Sequence, residues 1–148
     1  MTCSSSGDLV ASGVPDDMLY ALWPQLWPLL RPAYERSKER TDILSGILSK
    51  ELQLWAIFDK QNPVAGICTK LLRDRTSGDL QLRVWLVGGS RLKDWLPDFL
   101  SKATPWARSE GCSAITGSGR RGWSRAARQL GCVRLEDEDG EPCWSLPI

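Results

Sequence analysis

Leu80-Gln81-Leu82-Arg83-Val84-Trp85-Leu86-Val87-Gly88-Gly89-Ser90-Arg91-Leu92 is the stretch in which the hydrophobic period of this chain changes. Leu80, Leu82, Val84 and Leu86 alternate with Gln81, Arg83 and Trp85, which predicts a half-buried strand over 80–87. After Gly88-Gly89-Ser90 the spacing turns helical. Leu92, Trp95, Leu96, Phe99, Leu100, Ala103 and Ala107 make one apolar stripe, and Gly111 closes it as a C-terminal cap. A strand that passes through glycine into an amphipathic helix is the building unit of an α/β fold.

Upstream of that unit, Leu52–Phe58 and Val64–Leu72 read as two further strands. The intervening turns, Asp59–Pro63 and Thr76–Asp79, are short enough to imply antiparallel neighbours. Before them, Leu9–Val14 is a short apolar segment ended by Pro15-Asp16-Asp17. Leu19, Leu22, Leu26, Leu29, Leu30 and Ala33 then recur at helical spacing. Pro24, Pro28 and Pro32 fall inside that helix, and an internal proline typically costs about 3 kcal/mol. A helix broken or restarted near Trp23–Pro28 is therefore expected. Thr41-Asp42 caps a second helix carrying Ile43, Leu44, Ile47 and Leu48. Downstream, Cys112–Thr116 reads as a strand, Arg120–Leu130 as a helix closed by Gly131, and 133–135 with 143–146 as a terminal hairpin. The order β-α-α-β-β-β-α-β-α-β-β predicts a mixed, mostly antiparallel central sheet flanked by helices.

Length and composition narrow the function classes. A chain of 148 residues suits one domain over 1–148, with the Ser-rich segment 1–8 as a flexible N-terminus. Nineteen basic and 18 acidic residues leave a net charge of +1, which gives no general pull toward nucleic acid or anionic membranes. Apolar runs such as Leu52–Phe58 are too short to span a bilayer, and 1–8 has no secretory-signal pattern. Five widely spaced cysteines and no histidine exclude the usual zinc sites and any Ser-His or Cys-His couple. No metal is expected, the cysteines read as reduced thiols, and the chain reads as cytoplasmic.

The element order across the whole chain resembles the GNAT (Gcn5-related N-acetyltransferase) superfamily. Two sets of residues sharpen that likeness toward members encoded by tailed bacteriophages. One comprises Trp106-Ala107-Arg108-Ser109-Glu110-Gly111-Cys112, Gly119-Arg120-Arg121-Gly122-Trp123 and Gln129-Leu130-Gly131-Cys132. The other comprises Leu22-Trp23-Pro24, Asp42-Ile43-Leu44 and Leu52-Gln53-Leu54-Trp55. The resemblance implies acetyl-CoA as donor and a primary amine as acceptor. The pantetheine arm would lie where the sheet splays after its fourth strand. Backbone amides near Trp85, Leu86 and Val87 would polarise the thioester carbonyl. The pyrophosphate would sit on the loop Val87-Gly88-Gly89-Ser90-Arg91, at a helix N-terminus, with Arg91 as an anion partner. Arg120, Arg121 and Trp123 would complete the cofactor set from the next helix.

The sequence departs from the superfamily pattern in several places. The loop normally reads Gln or Arg, two residues, Gly, one residue, then Gly or Ala, whereas here only Gly88-Gly89 is present, with Pro97 close behind. The family's helical Asn and acid Tyr fall on Arg120 and Ala127, and Ala127 cannot protonate a thiolate. The strand 80–87 offers no carboxylate base. Catalytic residues are therefore unassigned. Gly88-Gly89-Ser90 also reads as a plain strand-to-helix turn. The row Arg121, Arg125 and Arg128 reads either as a solvated face or as a site for coenzyme A phosphates or nucleic acid. Trp123 reads as packed or as stacking on a ligand. The acidic run Glu136–Glu141 reads as a hairpin turn kept in water or a cation site. Two functional readings follow: an acetyl-CoA-dependent N-acetyltransferase, or a non-catalytic interaction protein, virion-associated with a phage structural partner.

Overall fold

The computed structural model of the protein describes residues 9–118, 121–138 and 141–148. In chain order the elements are β1 (Leu9–Gly13), α1 (Asp16–Arg36), α2 (Ile43–Leu48), β2 (Leu52–Asp59), β3 (Asn62–Arg73), β4 (Leu80–Gly89), α3 (Leu92–Ser109), β5 (Ala114–Ser118), α4 (Arg121–Gln129), β6 (Val133–Glu138) and β7 (Glu141–Pro147). This is the predicted order, with longer strands at both hairpins. The β2–β3 turn contracts to Lys60 and Gln61, because Asp59 already pairs with Asn62.

The strands form one seven-stranded sheet in the order β1-β2-β3-β4-β5-β7-β6. All described pairings are antiparallel except β4 with β5. Two apolar clusters sit on the two faces. On one, Leu19, Leu26 and Leu30 of α1 and Ile43 and Ile47 of α2 pack on Leu54, Ala56, Cys68 and Leu86. On the other, Trp95, Leu96, Phe99 and Ala103 of α3 and Ala126 and Ala127 of α4 pack on Ile57, Ile67, Leu82, Val84, Ile115 and Trp144.

The break expected in α1 does not occur. The helix runs unbroken from Asp16 to Arg36 with Pro24, Pro28 and Pro32 inside it. The prolines recur every four residues, so all three lie along one face, and that face is exposed. Each removes the donor that would have reached the carbonyl four residues earlier, on Tyr20, Pro24 and Pro28. These residues are exposed as well, so water can take the donor's place. Pro97 and Pro105 stand in α3 in the same way, both facing solvent. Prolines on the outer face suit a helix that curves convex toward solvent around a twisted sheet.

The edge strand β1 is covered by side chains rather than by another strand. Asp98 on α3 accepts the Ala11 amide at 2.7 Å, and Lys102 donates to the Ala11 carbonyl at 2.9 Å. The two side chains also pair with each other at 3.1 Å. Asp98 and Lys102 thus satisfy a strand edge that would otherwise invite pairing with another chain. Among the described residues no helix is long and apolar enough to cross a membrane, and no cluster of three His, Cys, Asp or Glu could hold a metal ion.

Candidate functional site: the gap between β4 and β5

β4 and β5 stay paired only over Gln81–Val84 and Ala114–Gly117. β4 continues through Trp85–Gly89 while β5 ends at Ser118. The strands therefore part, leaving a gap at one end of the sheet. Arg83 marks the fork, where its Nη2 donates to Ser118 Oγ at 3.1 Å.

The strict alternation predicted for β4 fails at Trp85. Val84 faces Thr69 and Leu86 faces Cys68, so Trp85 is an extra residue, a β-bulge. Leu82 and Val84 pack with the α3-side cluster, whereas Trp85 and Leu86 pack with the α1-side cluster. Just beyond the bulge, Ser90 donates its amide to Val64 on β3 at 3.2 Å. By the alternation of the ladder, Gly88 and Leu86 also bond toward β3, and the Val87 amide turns toward the gap.

The bulge places the Trp85 ring against the α1–α2 connection. Its Nε1 donates to Ser37 Oγ at 3.1 Å, and its ring meets Tyr34 edge-on at 6.1 Å. The Lys70 ammonium lies 5.5 Å from the Trp85 ring centroid and pairs with Glu39, whose second oxygen accepts from Thr41 at 2.9 Å. Burial pushes the Glu39 carboxyl up, but hydrogen bonds from Lys70 and Thr41 and the Lys70 charge outweigh it and hold it below its ordinary 4.5. The composition of 36–41 does not announce this cluster. It forms only because β3, β4 and the α1–α2 connection meet at the bulge.

The predicted loop Val87–Arg91 is shorter than its sequence suggested. Val87, Gly88 and Gly89 are strand, paired with Ile67, Gly66 and Ala65, so only Ser90 and Arg91 connect β4 to α3. A Cβ on Gly88 would stand 1.8 Å from the Leu29 carbonyl oxygen of α1. Gly89 has φ +114°, and a Cβ there would meet Val64 O at 2.3 Å and Ala65 Cα at 2.5 Å. Both glycines are thus explained by contacts with the protein itself.

The start of α3 leaves two backbone amides open. Arg91 adopts a left-handed conformation (φ 65°, ψ 36°), and no side chain caps the helix. The amides of Asp94 and Trp95 bond to the Arg91 carbonyl, while those of Leu92 and Lys93 have no acceptor among the described residues. The Arg91 side chain, however, is already engaged, 3.3 Å from Asp94 and 3.4 Å from Asp59. Asp59, at the end of β2, carried no signal in the sequence. For acetyl-CoA the fit is uneven: the free edge of β4 and the two open amides suit a pantetheine arm and a phosphate, whereas the expected glycine cradle is filled and the expected cation neutralised.

Across the gap, α4 turns Ala126 and Ala127 inward. Ala127, at the place the family resemblance gives to an acid, is fully buried and apolar. Arg125 and Arg128 are exposed. Arg120 lies outside the described residues, as do the side chains of Arg121 and Trp123 and those of the acidic run 136–141. A separate groove of about 1070 Å³ opens at the β1 edge, three strands from β4, beside Gly13, Asp16, Lys50, Trp55, Lys102 and Trp106. Its lysines already pair with Asp16 and Asp98. The gap has the open backbone amides that the groove's ion-paired lysines do not provide.

No protein-family model and no curated protein matches the sequence. Solved structures do match the fold. A probable acetyltransferase from Staphylococcus epidermidis aligns with a TM-score of 0.67 at 9% identity, over 94% of this chain and 98% of its own. An agmatine N-acetyltransferase aligns at 0.66 and 12% identity, over 95% and 100%. Arabidopsis thaliana NAA60, solved in complex with acetyl-CoA, aligns at 0.64 and 8% identity, over 95% and 98%. The chain has the mixed α/β fold of the GNAT acetyltransferases.

Proposed function

We propose that the protein is an N-acetyltransferase that takes its acetyl group from acetyl-CoA and passes it to a primary amine. The observation that carries this reading is the parting of β4 from β5 beyond Val84 and Gly117, with the Val87 amide turned into the gap and the Leu92 and Lys93 amides open at its side. Bound acetyl-CoA supplies an activated thioester. The free edge of β4 orients the arm as a neighbouring strand would, and the Val87 N–H donates to the carbonyl oxygen as negative charge develops there. No carboxylate stands on β4 to take the amine proton, and Ala127 offers none to the departing sulfur. Water carries both protons in this reading, which predicts slow turnover.

A thermal-shift titration with acetyl-CoA tests the proposal. Ligand at 100 times its dissociation constant adds about 2.7 kcal/mol of stability, readily seen as a saturable rise in melting temperature. No shift at millimolar acetyl-CoA would overturn the enzyme reading. The second reading is a non-catalytic interaction protein on the same fold, with a phage structural protein as its partner. It is favoured by the buried Ala127 and by the filling of Gly88 and Gly89 by α1 and β3.

A further inference from the structure

The outward face of α1 lacks the charge that a water-facing helix ordinarily sets opposite its apolar stripe. From Met18 to Pro28 the exposed residues are Met18, Tyr20, Ala21, Pro24, Gln25 and Pro28, and none is charged. Met18 and Tyr20 are large side chains left 44% and 64% exposed. The same face holds the open carbonyls of Tyr20, Pro24 and Pro28, each without its intrahelical donor because a proline stands four residues on. The outer prolines of α3 sit in ordinary surroundings by comparison, with Asp94, Lys102 and Arg108 exposed around Pro97 and Pro105.

Charge begins only at the two ends of that strip. Asp17 and Arg31 stand seven residues to either side of Pro24, close to two helical turns each way, and so share its face. Arg31 pairs with Glu35 on its own helix, but both side chains are about 60% exposed, and Asp17 forms no ion pair among the described residues. We infer that a second copy of this chain packs on the outer face of α1, antiparallel, with the two-fold axis at Pro24. Each Arg31 then meets Asp17 of the other copy, each Tyr20 meets Pro28, and Pro24 meets Pro24. A parallel mate would instead set Asp17 beside Asp17 and Arg31 beside Arg31. Ala21, Pro24 and Pro28 have no rotamer freedom to lose when covered, and the Tyr20 hydroxyl and Gln25 amide are donors suited to the open carbonyls. The strip from Asp17 to Arg31 is about 21 Å long and one helix wide, small for a protein interface, so the dimer is weak and reversible.

Sedimentation velocity of the full chain, from micromolar to millimolar concentration, tests the assignment in wild type, P24E, D17R and D17R/R31D. Wild type should move reversibly from monomer toward dimer as concentration rises. P24E puts like charges together on the axis and should weaken association about tenfold or more. It also replaces a helical proline with a good helix former, so its melting temperature at micromolar concentration should not fall, and loss of the dimer would not be loss of the fold. D17R sets like charges against each other at both ends and should weaken the dimer as well. D17R/R31D restores opposite charges there and should recover it. A wild type that stays monomeric at millimolar concentration would overturn the proposal, even if another protein binds α1. Association of P24E equal to that of wild type would place the contact elsewhere and overturn it too. Failure of D17R/R31D to recover what D17R loses would overturn the antiparallel arrangement.

Discussion

The Leu29 carbonyl oxygen of α1 occupies the space into which a side chain on Gly88 of β4 would project, 1.8 Å from an ideal Cβ. Backbone cannot yield as the end of a flexible side chain can, so any substitution at 88 must push α1 off the sheet. Gly88→Ala is expected to destabilise the fold by about 3 kcal/mol, the upper end of the range for overpacking. The urea midpoint should fall by the same amount with and without acetyl-CoA. A variant of normal stability that loses only acetyl-CoA binding would instead make Gly88 part of the ligand site.

Asp98 and Lys102 make a second prediction, because they close the edge of β1 by bonding the amide and carbonyl of Ala11. Asp98→Ala leaves the Ala11 N–H without its carboxylate acceptor. The loss should be about 1–2 kcal/mol, since the bond is charge-assisted but part-exposed. Hydrogen exchange at Ala11 should accelerate beyond what the global loss accounts for. Unchanged protection at Ala11 in D98A would show that the strand edge is closed by something else.

How far the sequence reveals the fold depends on whether a feature is local. The period change around Gly88-Gly89, the Asp42 cap and the helix ends at Gly111 and Gly131 are local, and each is found where predicted. Asp42 accepts from the Ser45 amide at 3.4 Å. The amides of Cys112 and Cys132 reach back to Ala107 and Ala127 at 2.9 and 3.1 Å, closing the two Ala-Arg-x-x-Gly-Cys turns in the same manner. The continuity of α1 was not legible, because the cost of a proline depends on whether water reaches the carbonyl it abandons. The bulge at Trp85 was hidden for a related reason: a strand that changes face reads as perfectly alternating until its partner, Cys68-Thr69, is known. The candidate site was legible as a place, at the end of β4, and less so as a set of residues. Asp59 and Glu39 reach Arg91 and Lys70 only through tertiary contact.

The Glu39–Lys70 pair predicts a pH dependence. The folded-state pKa of Glu39 lies below its ordinary 4.5, so its charged form is favoured by folding. The contribution is fully present above the unfolded value and is lost as pH falls through the lowered one. Glu39→Gln should therefore be less stable than wild type at pH 7, by no more than about 1 kcal/mol given its partial exposure. The difference should shrink below pH 4.5 as wild type becomes protonated. Denaturation curves for both proteins at several pH values check this, and a gap that grows with acidity would contradict the sign.

The thiols supply the last prediction. Burial raises Cys68 to about 12, where the nearby Lys70 lowers it and Glu39 raises it by smaller amounts. Burial raises Cys132 to about 11 and lifts Cys112 as well, with Glu110 adding to the latter. Cys143 is also buried. Thiolate is the reactive form, so Cys68, Cys112 and Cys132 should not act as nucleophiles near neutral pH, and burial keeps reagents from Cys143. Replacing Cys3 by Ser leaves the four described cysteines as the only thiols. At pH 8 the folded C3S protein should show no fast reaction with a disulfide reagent, and all four thiols should react promptly in denaturant. A single fast thiol in the native protein would reveal an accessible, activated cysteine and reopen covalent catalysis for this fold.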